Sequence, residues 1–239
     1  MKNKLTFLRG VLDGIPICLG YLSVSFAFGI FTVAQGLSVW DTLLISMTNV
    51  TSAGQLSAVP IIVAGGSLFE LAFTQLIINL RYSLMSISLS QKLDGSVRLI
   101  DRFIIAFVNT DEVFAVASSQ EGKVNRRYLY GLILTPYLGW SLGTFLGAQA
   151  GNIFPAIVTN ALGVAIYGMF IAICVPPAKK DKKIAGCVLL SILLSCLFRY
   201  TPVLNQTPSG FTIIICAVIA GAVFAAIECR EKKKGGENK

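Results

Sequence analysis

The sequence predicts an all-α protein: a polytopic membrane helix bundle of about eight hydrophobic segments, with segment two broken or re-entrant. Three observations predict it. The 239 residues are 54% hydrophobic and 13% charged, against about 25% charged in an ordinary soluble domain. Their mean hydropathy is +0.73, so there are too few charges to cover a water-facing surface. Apolar runs also recur at close to the ~20 residues that a helix needs to cross about 30 Å of hydrocarbon. Finally, Lys and Arg gather at the ends of those runs, where positive charge sets orientation.

The segments are 14–35, 41–64, 68–89, 103–119, 128–148, 153–175, 184–200 and 211–227. The fourth and seventh are short. The opening MKNKLTFLRG is basic, like a signal peptide, but the apolar run after it is longer than an h-region and lacks an A-x-A site. It is expected to be a retained first span. Segment two contains TNVTSAGQLSAVP, small and polar residues ending in proline. Such a stretch breaks a helix at membrane depth where it lines a cavity.

With the N-terminus inside and all eight segments crossing, the inside regions hold 15 Lys and Arg and the outside regions 3; Arg81 and Arg199 fall within segments. This bias predicts cytoplasmic N- and C-termini in an inner or plasma membrane. The three exceptions are Lys92, Arg98 and Arg102, between segments three and four. They raise the alternative that segment two or four is a re-entrant hairpin, with segment two the better suspect.

One transmembrane domain, 1–239, is expected. LGY at 19–21 recurs as LGW at 138–140, and RY at 81–82 recurs at 199–200. The echoes suggest related halves at 10–120 and 125–230; chance matches in a biased composition are the other reading.

Several function classes are excluded. The net charge of +8 does not indicate nucleic acid, because its clusters (Lys179, Lys180, Lys182, Lys183 and Arg230, Lys232, Lys233, Lys234) flank apolar runs. No histidine is present, which rules out a His-ligated metal and a His-based triad. The six cysteines show no C-x-x-C pair and read as small buried hydrophobes. There is no H-E-x-x-H, no G-x-S-x-G and no nucleotide loop, so neither an enzyme nor a cofactor is expected.

The candidate site residues are polar groups inside apolar runs. Asp111 and Glu112 interrupt IIAFVNTDEVFAVA; a charge at the centre of a membrane helix costs about 2.5–3.5 kcal/mol on insertion scales. Neighbours on a helix point about 100° apart, so one would face a pathway and the other a supporting partner. The alternative is that this segment does not span and the pair is solvated. Arg81, with Asn79 two positions before it, sits in LIINLRYSLMS. Arg81 stays charged and must find an anion, backbone carbonyls or water. Asp111 or Glu112 is the natural internal partner and the carboxylate of a solute the external one, with a purely structural ion pair as the alternative. Gly54 and Gln55 in TSAGQ, with Asn49 just upstream, are candidates for binding a small zwitterion at a broken helix; helix packing through small residues is the alternative. Gly139, Gly143 and Gly147 lie on one helix face and predict close approach to another helix, in this chain or in another subunit.

These stretches together resemble the AzlC family. The resemblance rests on GIPICLGYLSVSFAFG (14–29), TSAGQLSA (51–58), NLRYSLMSISLS (79–90), NTDEVFAV (109–116) and, more weakly, YLGWSLGTFLGAQAG (137–151). It implies secondary active export of branched-chain and other hydrophobic amino acids, driven by an ion gradient. It also implies that this chain is the large subunit of a two-component system with a small AzlD-type membrane partner; a homo-oligomer, which the glycine face would allow, is a further arrangement. On this reading Gly54, Gln55, Asn79, Arg81 and Asn49 bind substrate, and Asp111 and Glu112 carry the coupling proton. The family pattern leads one to expect histidine at position 82, where this chain has Tyr82, a change that removes a titratable imidazole from that spot. The alternative function is a structural membrane subunit whose partner carries the solute path.

Overall fold

The computed structural model describes residues 5–151, 153–155, 157, 171 and 174–236, with side chains as far as residue 227. Segment six lies for the most part outside the described residues, as does the side chain of Cys229. The named elements among the described residues are helices: α1 (Phe7–Ala34), α2 (Val39–Thr48), α3 (Ser52–Val63), α4 (Leu68–Ser90), α5 (Leu99–Phe107), α6 (Asp111–Ser119), α7 (Arg126–Gly151), α8 (Lys182–Tyr200) and α9 (Ser209–Gly236), with a 3₁₀ turn at Leu204–Gln206. Four of them, α1, α7, α8 and the Ser209–Ile227 part of α9, are long and apolar enough to cross a bilayer. The all-α membrane bundle expected from the sequence is therefore the architecture found.

The chain divides into two compact units, 1–59 with 78–166 and 60–77 with 167–239. The first is built on α1 and α7. Thr6 caps α1, its hydroxyl accepting from Arg9 N–H at 3.2 Å. A Cβ added to Gly10 would meet the Tyr128 carbonyl at 2.1 Å, one on Gly139 the Cys18 carbonyl at 2.6 Å, and one on Gly147 the Phe26 carbonyl at 2.0 Å. The contacts advance together along both helices, so α1 and α7 run parallel with their backbones in close contact. The glycine face of segment five is thus occupied within the chain, and the LGY and LGW echoes meet: Tyr21 and Trp140 pack edge to face, ring centroids 5.0 Å apart.

Segment four does not cross in one piece. It is two nine-residue helices, α5 and α6, each about 14 Å long and so only half of a bilayer. They form a hairpin whose two ends lie at the N-terminal end of the unit. At its start, Asp101 pairs with Arg126 at 3.0 Å. At its finish, the Lys92 ammonium donates to the carbonyls of Ser118 and, at 2.6 Å, Gln120, satisfying the exposed C-terminus of α6. Asn125 in turn donates to the Leu5 carbonyl at 2.7 Å, and Asp94 N–H to the Val124 carbonyl at 3.0 Å. Lys92, Arg98 and Arg102 therefore share an end with the N-terminus. Segment four is therefore a hairpin; it lies after these charges in the chain, and they reach this end because segment two also turns back before α4.

Segment two is broken as expected, into α2 and α3. Down the side of α7, Trp40 packs near Phe145, 6.4 Å between centroids. Ser46 hydrogen-bonds Thr144 at 2.6 Å, and the Tyr137 hydroxyl reaches the Met47 carbonyl at 3.2 Å. So α2 descends from the far end to mid-depth and stops. The continuous helix α4 passes this level at Tyr82 and finishes at the N-terminal end.

In the second unit, the ring of Phe224 lies over Gly186, whose Cβ would meet it at 2.7 Å. The buried carboxylate of Glu70 accepts the N–H of Gly210 at 2.9 Å at the start of α9. The described cysteines are all free. Cys216 is buried, but Cys174 and Cys196 lie on the outside, a correction to the buried reading: the surface of a membrane bundle is itself apolar.

Candidate functional site

The site is made by two helix breaks of the same kind. In the first, α2 ends at Thr48, Thr51 N–H turns back to the Asn49 carbonyl at 2.9 Å, and α3 begins at Ser52. In the second, α5 ends at Phe107, Thr110 N–H turns back to the Val108 carbonyl at 2.9 Å, and α6 begins at Asp111. Each break carries an Asn and a Thr, whose side chains compete with helical backbone bonds and favour caps. Thr110 is the N-cap of α6, its hydroxyl facing Val113 N–H at 3.5 Å.

The tips meet at one cavity of about 210 Å³. Residues 48–51 line it from the first break and Ala106, Phe107 and Asn109 from the second, with Asn79 and Tyr82 from α4. A second, mostly apolar recess of about 270 Å³ adjoins it. Leu89, Leu93, Phe103 and Ile105 line that recess, and Ala106 and Asn109 are walls of both. Across the shared wall Asn109 Nδ2 donates to Ser86 Oγ at 3.1 Å. The Asn109 Oδ1 atom is buried with no hydrogen-bond partner among the described residues.

The acidic pair occupies the first turn of α6. This differs from the expectation of two carboxylates midway along one spanning helix, and the break is the reason. Unpaired N–H groups at a helix N-terminus favour negative charge by roughly 0.3–1 kcal/mol per group. The two carboxylates face different partners. Asp111 Oδ2 pairs with Arg81 Nη2 at 2.9 Å, both side chains about half exposed. Glu112 Oε2 accepts from the Tyr21 hydroxyl at 2.5 Å, and the residue is otherwise exposed.

Arg81 also joins the two breaks. Its guanidinium donates to the Tyr82 hydroxyl at 2.9 Å and lies 4.8 Å from the centre of that ring. The Tyr82 hydroxyl in turn donates to Thr51 Oγ1 at 3.3 Å. Of the residues predicted from sequence, Asn49 and Asn79 line the cavity, and Arg81, Asp111 and Glu112 stand beside it. Gly54 and Gln55 do not line it. They lie in the first turn of α3, where the Gly54 carbonyl accepts from Ser57 at 2.8 Å and Gln55 is buried.

Sequence reasoning missed Tyr21, Thr51, Ser86, Asn109 and Thr110 as site residues. Tyr21 reads as core in an apolar helix, and nothing local links it to Glu112. The signal available was the pair of short N-V-T and V-N-T motifs, at 49–51 and 108–110, each beside a polar cluster. At the hairpin's base, the Asp101 carboxyl is held below its ordinary range by the hydrogen bond from Tyr130, 2.7 Å away, helped by the N–H of Arg98 and the charge of Arg126. Among the described residues no cluster of ligating side chains could hold a metal ion.

Helices broken partway around a small polar cavity define a multi-pass helical membrane protein with irregular backbone inside its bundle. The chain belongs to the AzlC family: the family model described as AzlC protein matches residues 16–154. It is 32% identical to a membrane protein of Archaeoglobus fulgidus over 94% of this chain and 96% of that one. It is 29% identical to inner membrane protein YgaZ of Escherichia coli, over 93% and 91% of the two chains. Branched-chain amino acid transport protein AzlC of Bacillus subtilis is 23% identical over 71% of this chain and 66% of its own. No solved structure matches the chain.

Proposed function

We propose that this chain is the large subunit of a two-component secondary exporter of branched-chain and related hydrophobic amino acids, working with a small membrane partner. The observation that carries the reading is the meeting of two helix breaks at one cavity. Broken helices present unpaired N–H groups at one tip and carbonyls at another, which suits the carboxylate and ammonium of a zwitterion. At about 210 Å³ the cavity is smaller than the ~300–1,000 Å³ of drug-sized ligand sites, which restricts it to a small solute. The apolar recess behind Ala106 and Asn109 suits a branched aliphatic side chain. The name of the Bacillus subtilis relative supports the same substrate class.

Arg81, in this reading, holds Asp111 between cycles and meets the substrate carboxylate during one. The acidic pair carries the coupling proton. The termini are cytoplasmic. Counted along the sequence with both broken segments turning back on the side where they start, Lys92, Arg98 and Arg102 join the inside regions and the positive-charge bias loses its three exceptions. The alternative of a structural subunit was motivated by the glycine face of segment five, and α1 occupies that face.

The test is efflux from cells preloaded with L-leucine and expressing both subunits. Uphill efflux is expected from the wild type, with loss in the combined Asp111→Asn, Glu112→Gln variant. Efflux that continues unchanged in the variant removes the coupling role; none from the wild type removes the exporter reading.

A further inference from the structure

We infer that Glu112 alone is the proton carrier, and that Tyr21 relays its protonation state to the cap of α6 at the cavity wall. The inference rests on the exporter reading and divides the acidic pair that it treats as one. The geometry is a line of three oxygens. Glu112 Oε2 is 2.5 Å from the Tyr21 hydroxyl, and Tyr21 is 2.6 Å from Thr110 Oγ1. The phenol has one proton and therefore donates in one direction at a time.

With Glu112 ionised, the Tyr21 O–H donates to the carboxylate and the Thr110 O–H donates to the Tyr21 oxygen. A proton arriving from water on the open side bonds to Glu112 Oε2, leaving that water neutral. The new Glu112 O–H then donates to Tyr21, the Tyr21 O–H turns to Thr110 Oγ1, and the Thr110 O–H turns away. Hydrogen bonds alone change, and both states leave Tyr21 satisfied without moving a heavy atom.

The two states differ at α6. Thr110 Oγ1 caps Val113 N–H, and in the protonated state it also accepts from Tyr21. The Glu112 charge that favoured the helix N-terminus is gone as well. Proton loading thus weakens the first turn of α6 in two ways, next to Asn109 in the cavity wall.

The remaining groups around Glu112 point to it rather than to Asp111. Asp111 on its own helix is paired with Arg81 of α4, and Tyr82 of α4 is bonded to Thr51. From α1 the facing group is Tyr21. From α7, Tyr137 is bonded to the Met47 carbonyl, and Tyr128 to Asp13 at 2.8 Å. Asp111 has Arg81 as its partner in this structure, whereas Glu112 has the relay. Tyr21 is a positioning residue; it does not take up the proton.

The test uses both subunits in liposomes and two readouts. Gradient-driven L-leucine accumulation is compared with leucine–leucine exchange at equal pH. Separately, the fluorescence of Trp140, which packs against Tyr21, is titrated with pH in a Trp40→Phe background. Glu112→Gln is expected to lower accumulation about tenfold or more while exchange stays within about twofold, as for loss of a proton relay. It should also abolish the Trp140 titration. Asp111→Asn is expected to lower both transport modes together and leave the titration in place. Tyr21→Phe and Thr110→Val are expected to shift the pH profile of accumulation in the same direction, with Thr110→Ser restoring it. Uncoupling by Asp111→Asn, or a Trp140 titration that survives Glu112→Gln, overturns the assignment. A wild type that moves no leucine but shows the Glu112-dependent titration fails the exporter reading and leaves the relay standing.

Discussion

Arg81 of α4 and Asp111 at the first turn of α6 close an ion pair of 2.9 Å beside the central cavity. Both side chains are half exposed, so the pair contributes little to stability, about 0.2–1 kcal/mol by analogy with other exposed pairs. Its position matters more, because it ties the helix that passes the cavity to the helix whose break forms the wall.

Arg81→Gln should therefore separate stability from function. Thermal unfolding of the purified protein is expected to shift by only a few degrees, on the order of what 1 kcal/mol produces in a chain of this size. Leucine efflux should fall to background. A large loss of stability with proportional loss of efflux would make Arg81 a structural residue.

Ala106 separates the polar cavity from the apolar recess. Ala106→Phe is expected to fill the recess mouth and reject leucine and isoleucine, while glycine or alanine still competes for the site. One methylene in an apolar pocket is worth roughly 1–3 kcal/mol, so a ring there should exclude branched substrates. Competition assays against labelled leucine in wild type and labelled alanine in the variant would show it. Unchanged selectivity would separate the recess from substrate binding.

The parallel α1–α7 contact makes a contrast between glycines. Gly143→Leu places a side chain where even a Cβ lies 2.2 Å from Ser25 Oγ and 2.4 Å from the Leu22 carbonyl. Overpacking of this kind costs about 1–3 kcal/mol or more, and loss of monodisperse protein on gel filtration is expected. Gly20→Ala has nothing within 4 Å of the new carbon and should behave as wild type.

Asp101 gives a pH dependence at the hairpin's base. Its carboxyl is held below the ordinary range, first by the Tyr130 hydroxyl. A lowered folded-state value means stability that is present above the unfolded value, about 3.9, and lost as pH falls through the folded one. Asp101→Asn should unfold at lower temperature than wild type at pH 7, and the two should converge below about pH 4. A gap that stays constant with pH would rule out the charge as its source.

The parts of this arrangement differed in how far the sequence exposed them. Arg81 and Asp111 were legible as partners because a charge in an apolar run must be answered. The break in segment two was legible because small and polar residues and Pro60 interrupt its pattern. The hairpin of α5 and α6 was not directly legible: a half-helix facing lipid is as apolar as a full span, and hydropathy does not record direction. Its trace was indirect: Lys92, Arg98 and Arg102 come inside when segment two turns back, and Lys123, Arg126 and Arg127 then stay inside only if segment four turns back too. Tyr21 could not be found at all, since its partners Thr110 and Glu112 are distant in sequence and a tyrosine in an apolar helix most often packs.

The central claim is that residues 49–51 and 109 surround the transported amino acid. The most direct measurement places single cysteines at Asn49, Thr51 and Asn109 in a background cleared of the native cysteines. Each is labelled with a membrane-impermeant thiol reagent, with and without L-leucine. All three should be labelled, and leucine, but not arginine, should slow each reaction. Labelling that leucine leaves unchanged at all three positions would contradict it.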